Sequence, residues 1–238
     1  QKKDVLALMP TGGGKSVCFQ VPALLLDGLT VVISPLIALM KDQVDSLRLN
    51  GIEAAFLNSS QTQGEQEEII EKLNTGKLKL LYLAPERITN FLPFLQNLNI
   101  ALYTINEAHC ISQWGYDFRP SYLKIAELRE YFPNVNMIAV TASATKEVVE
   151  DIQLKLSFKN QGVFRQSFER KNIRYVVQIE ENKYERLLKV IHNIGGSGIV
   201  YVRNRKKTEE ISKWLVQNKI SASFYHAGIN TNERATVQ

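Results

Sequence analysis

Over the first two thirds of the chain, apolar residues come in short unbroken runs rather than in alternation. The runs are Val5 to Leu8, Thr30 to Ser34, Ala54 to Leu57, Leu78 to Leu83, Ala101 to Ile105 and Met137 to Thr141. A run apolar at nearly every position suits a strand covered on both faces, as parallel strands are. Between the runs lie segments with apolar residues at three- and four-residue spacing: Val17 to Leu26, Leu36 to Leu49, Gln63 to Leu73, Ile88 to Leu95, Tyr122 to Tyr131 and Glu147 to Leu156. That spacing predicts helices. The strict alternation of strand and helix predicts a doubly wound α/β fold with a parallel sheet, in which ligands sit at the carboxyl ends of the strands.

After Leu156 the rhythm breaks into a polar passage, Ser157 to Gln161, followed by the extended-looking Val163-Phe164-Arg165 and a linker near Gln166 to Asn172. A second α/β unit is expected beyond it. Its strands are Tyr175 to Ile179, Ile199 to Val202 and Ala222 to Tyr225, its helices Tyr184 to Ile194 and Arg205 to Val216, and Thr231-Asn232-Glu233 starts a further helix. The domain boundary predicted from this pattern separates residues 1–168 from residues 169–238.

Composition is that of an ordinary globular protein, and charge adds one asymmetry. Residues 169–238 hold 13 Lys/Arg against 7 Asp/Glu, a balance of +6, whereas residues 1–168 hold 16 against 17, or −1. Either a polyanionic partner or a solvated basic face accounts for this. No run approaches the roughly 18 apolar residues of a membrane span, and no charged-then-apolar leader opens the chain, so the expected location is the cytoplasm. Cys18 and Cys110 are too few for a disulfide framework or a Cys₄ zinc site and read as reduced, buried fillers.

The candidate chemistry begins where the first strand meets the first helix. Met9-Pro10-Thr11-Gly12-Gly13-Gly14-Lys15-Ser16 follows an apolar run and precedes a helical one. A triphosphate lies against several backbone N–H groups only where side chains do not intervene, which Gly12, Gly13 and Gly14 provide. Lys15 supplies a point charge for the β- and γ-phosphates, Ser16 a hydroxyl for a Mg²⁺ shell, and the helix N-terminus a partial positive charge. The strict phosphate-loop pattern has glycine where this chain has Met9. A hydrolytic loop of this kind also needs carboxylates on a neighbouring strand, one for the metal and one to orient water. Asn106-Glu107-Ala108-His109, at the end of the run Ala101 to Ile105, is the candidate: Glu107 can polarise water, and Asn106 stands where a metal-holding aspartate is expected.

Several further stretches point to one family. Thr11 to Ser16, Ser34-Pro35-Leu36-Ile37-Ala38-Leu39-Met40-Lys41-Asp42-Gln43, Ala84-Pro85-Glu86-Arg87 and Ala108-His109-Cys110-Ile111-Ser112-Gln113-Trp114-Gly115-Tyr116-Asp117-Phe118-Arg119-Pro120 together resemble the RecQ family of superfamily 2 DNA helicases. Thr141-Ala142-Ser143-Ala144-Thr145 and Tyr225-His226-Ala227-Gly228 continue the resemblance in the right order over nearly the whole chain. The resemblance implies a 3′-to-5′ motor of two RecA-like domains, a P-loop NTPase fold whose second domain is here incomplete. It would use ATP and Mg²⁺, act on single-stranded and partly duplex DNA, and be associated with a bacterial nucleoid.

Carried over position by position, Thr11, Gly12, Gly13, Gly14, Lys15 and Ser16 bind the nucleotide, and Ser16 and Asn106 lie at the metal. Glu107 is then the catalytic base. His109, with Trp114, Phe118 and Arg119, would couple single-stranded DNA to hydrolysis. Ser34, Pro35 and Arg87 would line the DNA track, and Thr141 and Thr145 would link the ATP site to strand separation. From the residues alone, Trp114, Tyr116 and Phe118 alternate with glycine and charge, a pattern that suits a stacking platform for bases better than a core, although a hydrophobic plug under a surface loop stays open. Arg119 adds a phosphate or cation–π contact. His109 by itself reads more readily as a packed histidine at a strand end.

Three departures qualify the resemblance. Asn106 replaces the aspartate of Asp-Glu-Ala-His, the chain starts just before the phosphate loop, and it ends before the later motifs, including the arginine finger. The sequence therefore reads as a piece of a motor with weak hydrolysis of its own. A nucleic-acid-binding module that has lost catalysis is the alternative. A small-molecule kinase would need an acceptor lid where this chain has its aromatic loop.

Overall fold

The computed structural model describes residues 3–58, 61–142, 144–160, 162–169, 172–226 and 228–229. Ser143, Ala227 and the expected helix start at Thr231-Asn232-Glu233 lie outside them. The chain divides into two units, Gln1–Lys171 and Asn172–Gln238.

The first unit alternates as its pattern predicts. Its strands are β1 (Val5–Leu8), β2 (Leu29–Ile33), β3 (Ala54–Leu57), β4 (Leu80–Leu83), β5 (Ile100–Asn106), β6 (Asn136–Thr141) and β7 (Gly162–Arg165). Its helices are α1 (Val17–Leu25), α2 (Ile37–Leu49), α3 (Gln63–Asn74), α4 (Ile88–Leu95), α5 (Glu127–Tyr131) and α6 (Lys146–Lys155). All strand pairs are parallel, in the order β3-β4-β2-β5-β6-β1-β7.

The unbroken apolar runs are explained by burial on both faces. Leu6, Leu8, Val31, Ile33, Leu81 and Leu83 pack into one core with Ile69 and Leu73 of α3, Leu92 and Leu95 of α4, and Val148, Val149 and Ile152 of α6. The intervening Ala7, Val32, Leu80 and Tyr82 face the other way, onto Phe19 and Ala23 of α1 and Met40, Val44 and Leu47 of α2. A side-chain period of two, with both sets apolar, yields a run with no polar gap.

The segment predicted as one helix over Tyr122 to Tyr131 is instead a 3₁₀ turn, Pro120–Ala126, followed by the short α5. Tyr122 accounts for the break: it is fully buried, and its hydroxyl donates to the Asn106 carbonyl at 2.8 Å, which pins the turn under the end of β5.

Asp4, just ahead of β1, joins four parts of this unit. Only 1% exposed, it accepts hydrogen bonds from the Arg129 guanidinium at 2.8 Å, Met137 N–H at 2.9 Å and Lys159 N–H at 2.8 Å. Removing the carboxylate leaves a nearly buried guanidinium and two N–H groups without their acceptor. Asp4→Ala is therefore expected to lower stability by about 3–5 kcal/mol. Urea unfolding checks this, and a loss below about 1 kcal/mol would refute the role.

In the second unit, α7 (Lys183–Ile194) and α8 (Arg205–Gln217) form where the spacing placed them, capped by Asn182 and Asn204, whose side-chain oxygens accept from Glu185 N–H at 3.2 Å and Lys207 N–H at 2.8 Å. Tyr184 meets Trp214 edge-on, with ring centroids 4.7 Å apart. The three expected strands, Tyr175 to Ile179, Ile199 to Val202 and Ala222 to Tyr225, are not formed among the described residues. Apolar composition suits a strand but does not make one: a strand exists through ladder bonds to a neighbour, and here Val177 and Ile179 stay fully exposed.

Candidate functional site

The candidate residues of the first unit gather at the carboxyl ends of β1, β2, β5 and β6. Leu8 pairs with Thr141 across β1 and β6, and Asn106 pairs with Val140 across β5 and β6. Met9 N–H then donates to the Thr141 carbonyl at 3.1 Å, so the loop after β1 leaves the sheet tied to the end of β6.

The loop turns tightly. Gly12 and Gly14 hold φ of 78° and 89°, and a Cβ on Gly13 would come 2.9 Å from the Pro10 carbonyl oxygen, which already accepts the Gly13 N–H at 2.9 Å. Ser16 stands at the α1 N-terminus without making a side-chain cap, so its hydroxyl is not committed to the first-turn N–H groups. The head of this nine-residue helix takes no side-chain cap, although the Cys18 and Phe19 N–H groups bond back to the Gly14, Lys15 and Ser16 carbonyls; behind a glycine loop and Lys15, its positive end would suit an anion such as phosphate.

At the end of β5, Asn106 is 4% exposed and its Nδ2 donates to Ser34 Oγ at 3.3 Å. Glu107 follows in the left-handed region, with φ 50° and ψ 48°, where a non-glycine residue is strained. This conformation turns the chain from β5 into the 3₁₀ turn Ala108–Ile111.

His109, 2% exposed, is held from both sides. Its Nδ1 lies 2.7 Å from Thr141 Oγ1 and 3.4 Å from Glu107 Oε2, and the Tyr116 ring stacks on the imidazole at 4.5 Å between centroids. Burial lowers its pKa below the ordinary value against the opposing pull of Glu107. At neutral pH the ring is uncharged, and the Glu107 contact is not an ion pair.

The aromatic loop folds back over this turn, which only glycine at 115 allows: a Cβ there would meet the His109 carbonyl oxygen at 2.6 Å. Trp114 and Tyr116 are exposed at 78% and 76%. Phe118 is half-buried, with the Lys155 ammonium 5.9 Å from its ring centre. Arg119 donates to Asp117 at 3.0 Å and to the Pro35 carbonyl at 3.0 Å, which joins the loop to the segment after β2.

Two candidates point elsewhere. Arg87 donates to Gln66 of α3 at 2.7 Å, and exposed Thr145 caps α6 by accepting from Val148 N–H at 3.4 Å. Two residues to which the sequence reading gave no role prove to be in contact with site residues, Tyr122 under Asn106 and Gln43, whose Nε2 lies 3.1 Å from Ser16 Oγ. Gln43 closes the run Ser34 to Gln43, but only the packing of α2 shows which loop it reaches.

The oxygen donors fit a hard divalent cation bound with nucleotide. Magnesium keeps much of its shell as water and phosphate oxygen, so the Ser16 hydroxyl and the Asn106 side-chain carbonyl would be the protein's contribution to such an ion, an uncharged one. Such an ion would neutralise charge on the β- and γ-phosphate oxygens. His109, Cys110 and Asp117 also bring ligand atoms within 4.8 Å of one another. They are poorly suited to a metal: burial pushes the Cys110 thiol up to about 12, and Arg119 already holds the Asp117 carboxylate.

A family model of the DEAD/DEAH box helicases matches residues 1–152. The chain is 47% identical over 239 residues to ATP-dependent DNA helicase RecQ of Pasteurella multocida, covering 99% of this chain and 38% of that protein. It is 44% identical over 242 residues to the Bacillus subtilis protein of the same name, covering all of this chain and 41% of the relative. The chain thus spans about two fifths of the length of these relatives. Among solved structures, Mycobacterium smegmatis helicase Lhr bound to ssDNA and AMP-PNP aligns with a TM-score of 0.68 at 17% identity, over 99% of this chain and 36% of that one. The DUF1998 helicase MrfA aligns with a TM-score of 0.69 at 19% identity, over 98% and 39%. At such identities these two speak for the fold alone, a parallel α/β sheet of the RecA-like kind. The family model, covering the phosphate loop and the Asn106-Glu107-Ala108-His109 segment that the fold brings to the carboxyl ends of the strands, places this chain in the DEAD/DEAH box helicase family.

Proposed function

We propose that this chain is part of the motor of an ATP-dependent DNA helicase of RecQ type, with residues 1–168 as the first RecA-like, ATP-binding domain and residues 169–238 as part of the second. In this reading Thr11 to Ser16 hold the phosphates, Glu107 polarises the attacking water, and single-stranded DNA stacks on Trp114 while passing Pro35; Ser34, expected on that track, is only 1% exposed and bonded to Asn106, and Arg87 is engaged by Gln66. Partly duplex DNA is the substrate to be opened, by 3′-to-5′ movement. One observation carries the reading. A continuous string of contacts runs from the phosphate loop to the aromatic loop: Met9 N–H to the Thr141 carbonyl, Thr141 Oγ1 to His109, and His109 against Tyr116. Three contacts thus separate Tyr116 of the exposed loop from Met9 at the head of the phosphate loop, and His109, within that string, is two residues from Glu107.

Trp114→Ala is expected to weaken binding of single-stranded oligonucleotide by about 5- to 150-fold, the worth of one base–aromatic stack. Affinity for an ATP analogue should stay unchanged. Fluorescence anisotropy measures the first and equilibrium titration the second; unaltered DNA affinity would rule out the platform.

The neutral Asn106 favours a second reading, a module that binds DNA and nucleotide without efficient hydrolysis. Phosphate release by the chain in the presence of single-stranded DNA separates the two.

A further inference from the structure

We propose that Gln43 is a positioning residue for a nucleotide-bound divalent cation, its side-chain carbonyl accepting the Ser16 hydroxyl proton when the Ser16 oxygen ligates the ion. This rests on the nucleotide reading of the phosphate loop.

A serine hydroxyl has one proton and two lone pairs. When a lone pair goes to a cation, the O–H becomes a stronger donor and needs an acceptor nearby. A carboxylate at 106 could serve; Asn106 is neutral, and its amide N–H is already directed to Ser34 Oγ. The Gln43 amide is the group the structure holds against Ser16, with Nε2 at 3.1 Å from Oγ. In that orientation Gln43 acts as donor to one of the two lone pairs and offers no acceptor to the hydroxyl proton once the ion takes the other. Its Oε1 is buried and meets no donor among the described residues. Rotating the amide by half a turn keeps its shape and brings the unpartnered carbonyl oxygen to the Ser16 O–H. The two orientations therefore differ in the direction of one hydrogen bond, and metal ligation by Ser16 selects the acceptor orientation. The position of α2 fixes this pairing: Met40, Val44 and Leu47 bury one face of the helix against the sheet, and Gln43 projects from its neighbouring edge towards the head of α1.

The test is Mn²⁺ binding to the whole chain, followed by electron paramagnetic resonance of the free ion with a saturating non-hydrolysable ATP analogue. Gln43→Leu, which keeps the bulk and removes both polar atoms, is expected to weaken Mn²⁺ by about 10- to 100-fold, as loss of an outer-shell partner does. Its metal-free affinity for the analogue should stay within about twofold of the parent. Gln43→Glu, a permanent acceptor, is expected to bind Mn²⁺ at least as tightly as the parent, which a merely structural glutamine would not predict. Unchanged Mn²⁺ affinity in Gln43→Leu, or weakened affinity in Gln43→Glu, overturns the inference; the glutamate variant decides alone if the leucine variant does not fold. Absence of any analogue binding by the parent chain would instead overturn the nucleotide reading, and the inference with it.

Discussion

Lys15→Ala is expected to raise the dissociation constant for ATP by about 100-fold or more. The loop offers a triphosphate backbone N–H groups, the helix N-terminus and a single ammonium from its own sequence, and the ammonium carries the only full charge. Charge-assisted hydrogen bonds to two phosphates are worth about 1.5–3 kcal/mol each, and their joint loss corresponds to roughly 10²–10⁴ in affinity. The Lys15 charge already reaches into the site, where it contributes to lowering the His109 pKa. Because Lys15 is only half-buried, the unliganded fold should be nearly indifferent to the change, within about 0.5 kcal/mol. Equal affinity of parent and variant for a fluorescent ATP analogue would defeat the assignment of this loop to phosphate.

Asn106→Asp is expected to move two quantities in opposite directions. Without metal, a carboxylate at a position 4% exposed has the Ser34 hydroxyl beside it as a donor. The cost of burying it is about 1–3 kcal/mol, or roughly 2–12 °C in the melting temperature of a domain of this size. With magnesium and nucleotide present, the same carboxylate faces a dication, and tighter binding of the complex is returned as added stability of the folded state. The metal-dependent rise in melting temperature should therefore be larger for the aspartate variant than for the parent, and phosphate release with single-stranded DNA should increase by about tenfold or more. Thermal melts with and without magnesium and nucleotide decide the matter. An identical metal-dependent rise in the two proteins would show that position 106 is not at the ion.

The first unit was legible because its strands are apolar on both faces and its helices on one, so composition and spacing carried the same message. The phosphate loop was legible because glycine, lysine and serine are required there for reasons local to eight residues. What escaped depended on long-range partners. Asp4 pairs with an arginine 125 positions away, Gln43 with a serine 27 positions away, and Tyr122 with a carbonyl 16 positions away. No local pattern reports such distances. Tyr122 also divided a stretch whose spacing predicted one helix, since reaching the Asn106 carbonyl favoured a tighter turn. The second unit failed for the converse reason: Tyr175 to Ile179 has the composition of a strand, but composition does not supply the neighbouring ladder.

The left-handed backbone of Glu107 has a consequence for how such a protein changes over evolutionary time. Holding a side chain with a Cβ in that region costs about 1–2 kcal/mol, which glycine would recover in full and asparagine in part. Random substitution followed by selection for folding alone would thus move position 107 towards those residues, and the products would be more stable and chemically inert. Glutamate at this position is a stability maximum forgone. The strain held at φ 50° is a cost that folding alone does not require.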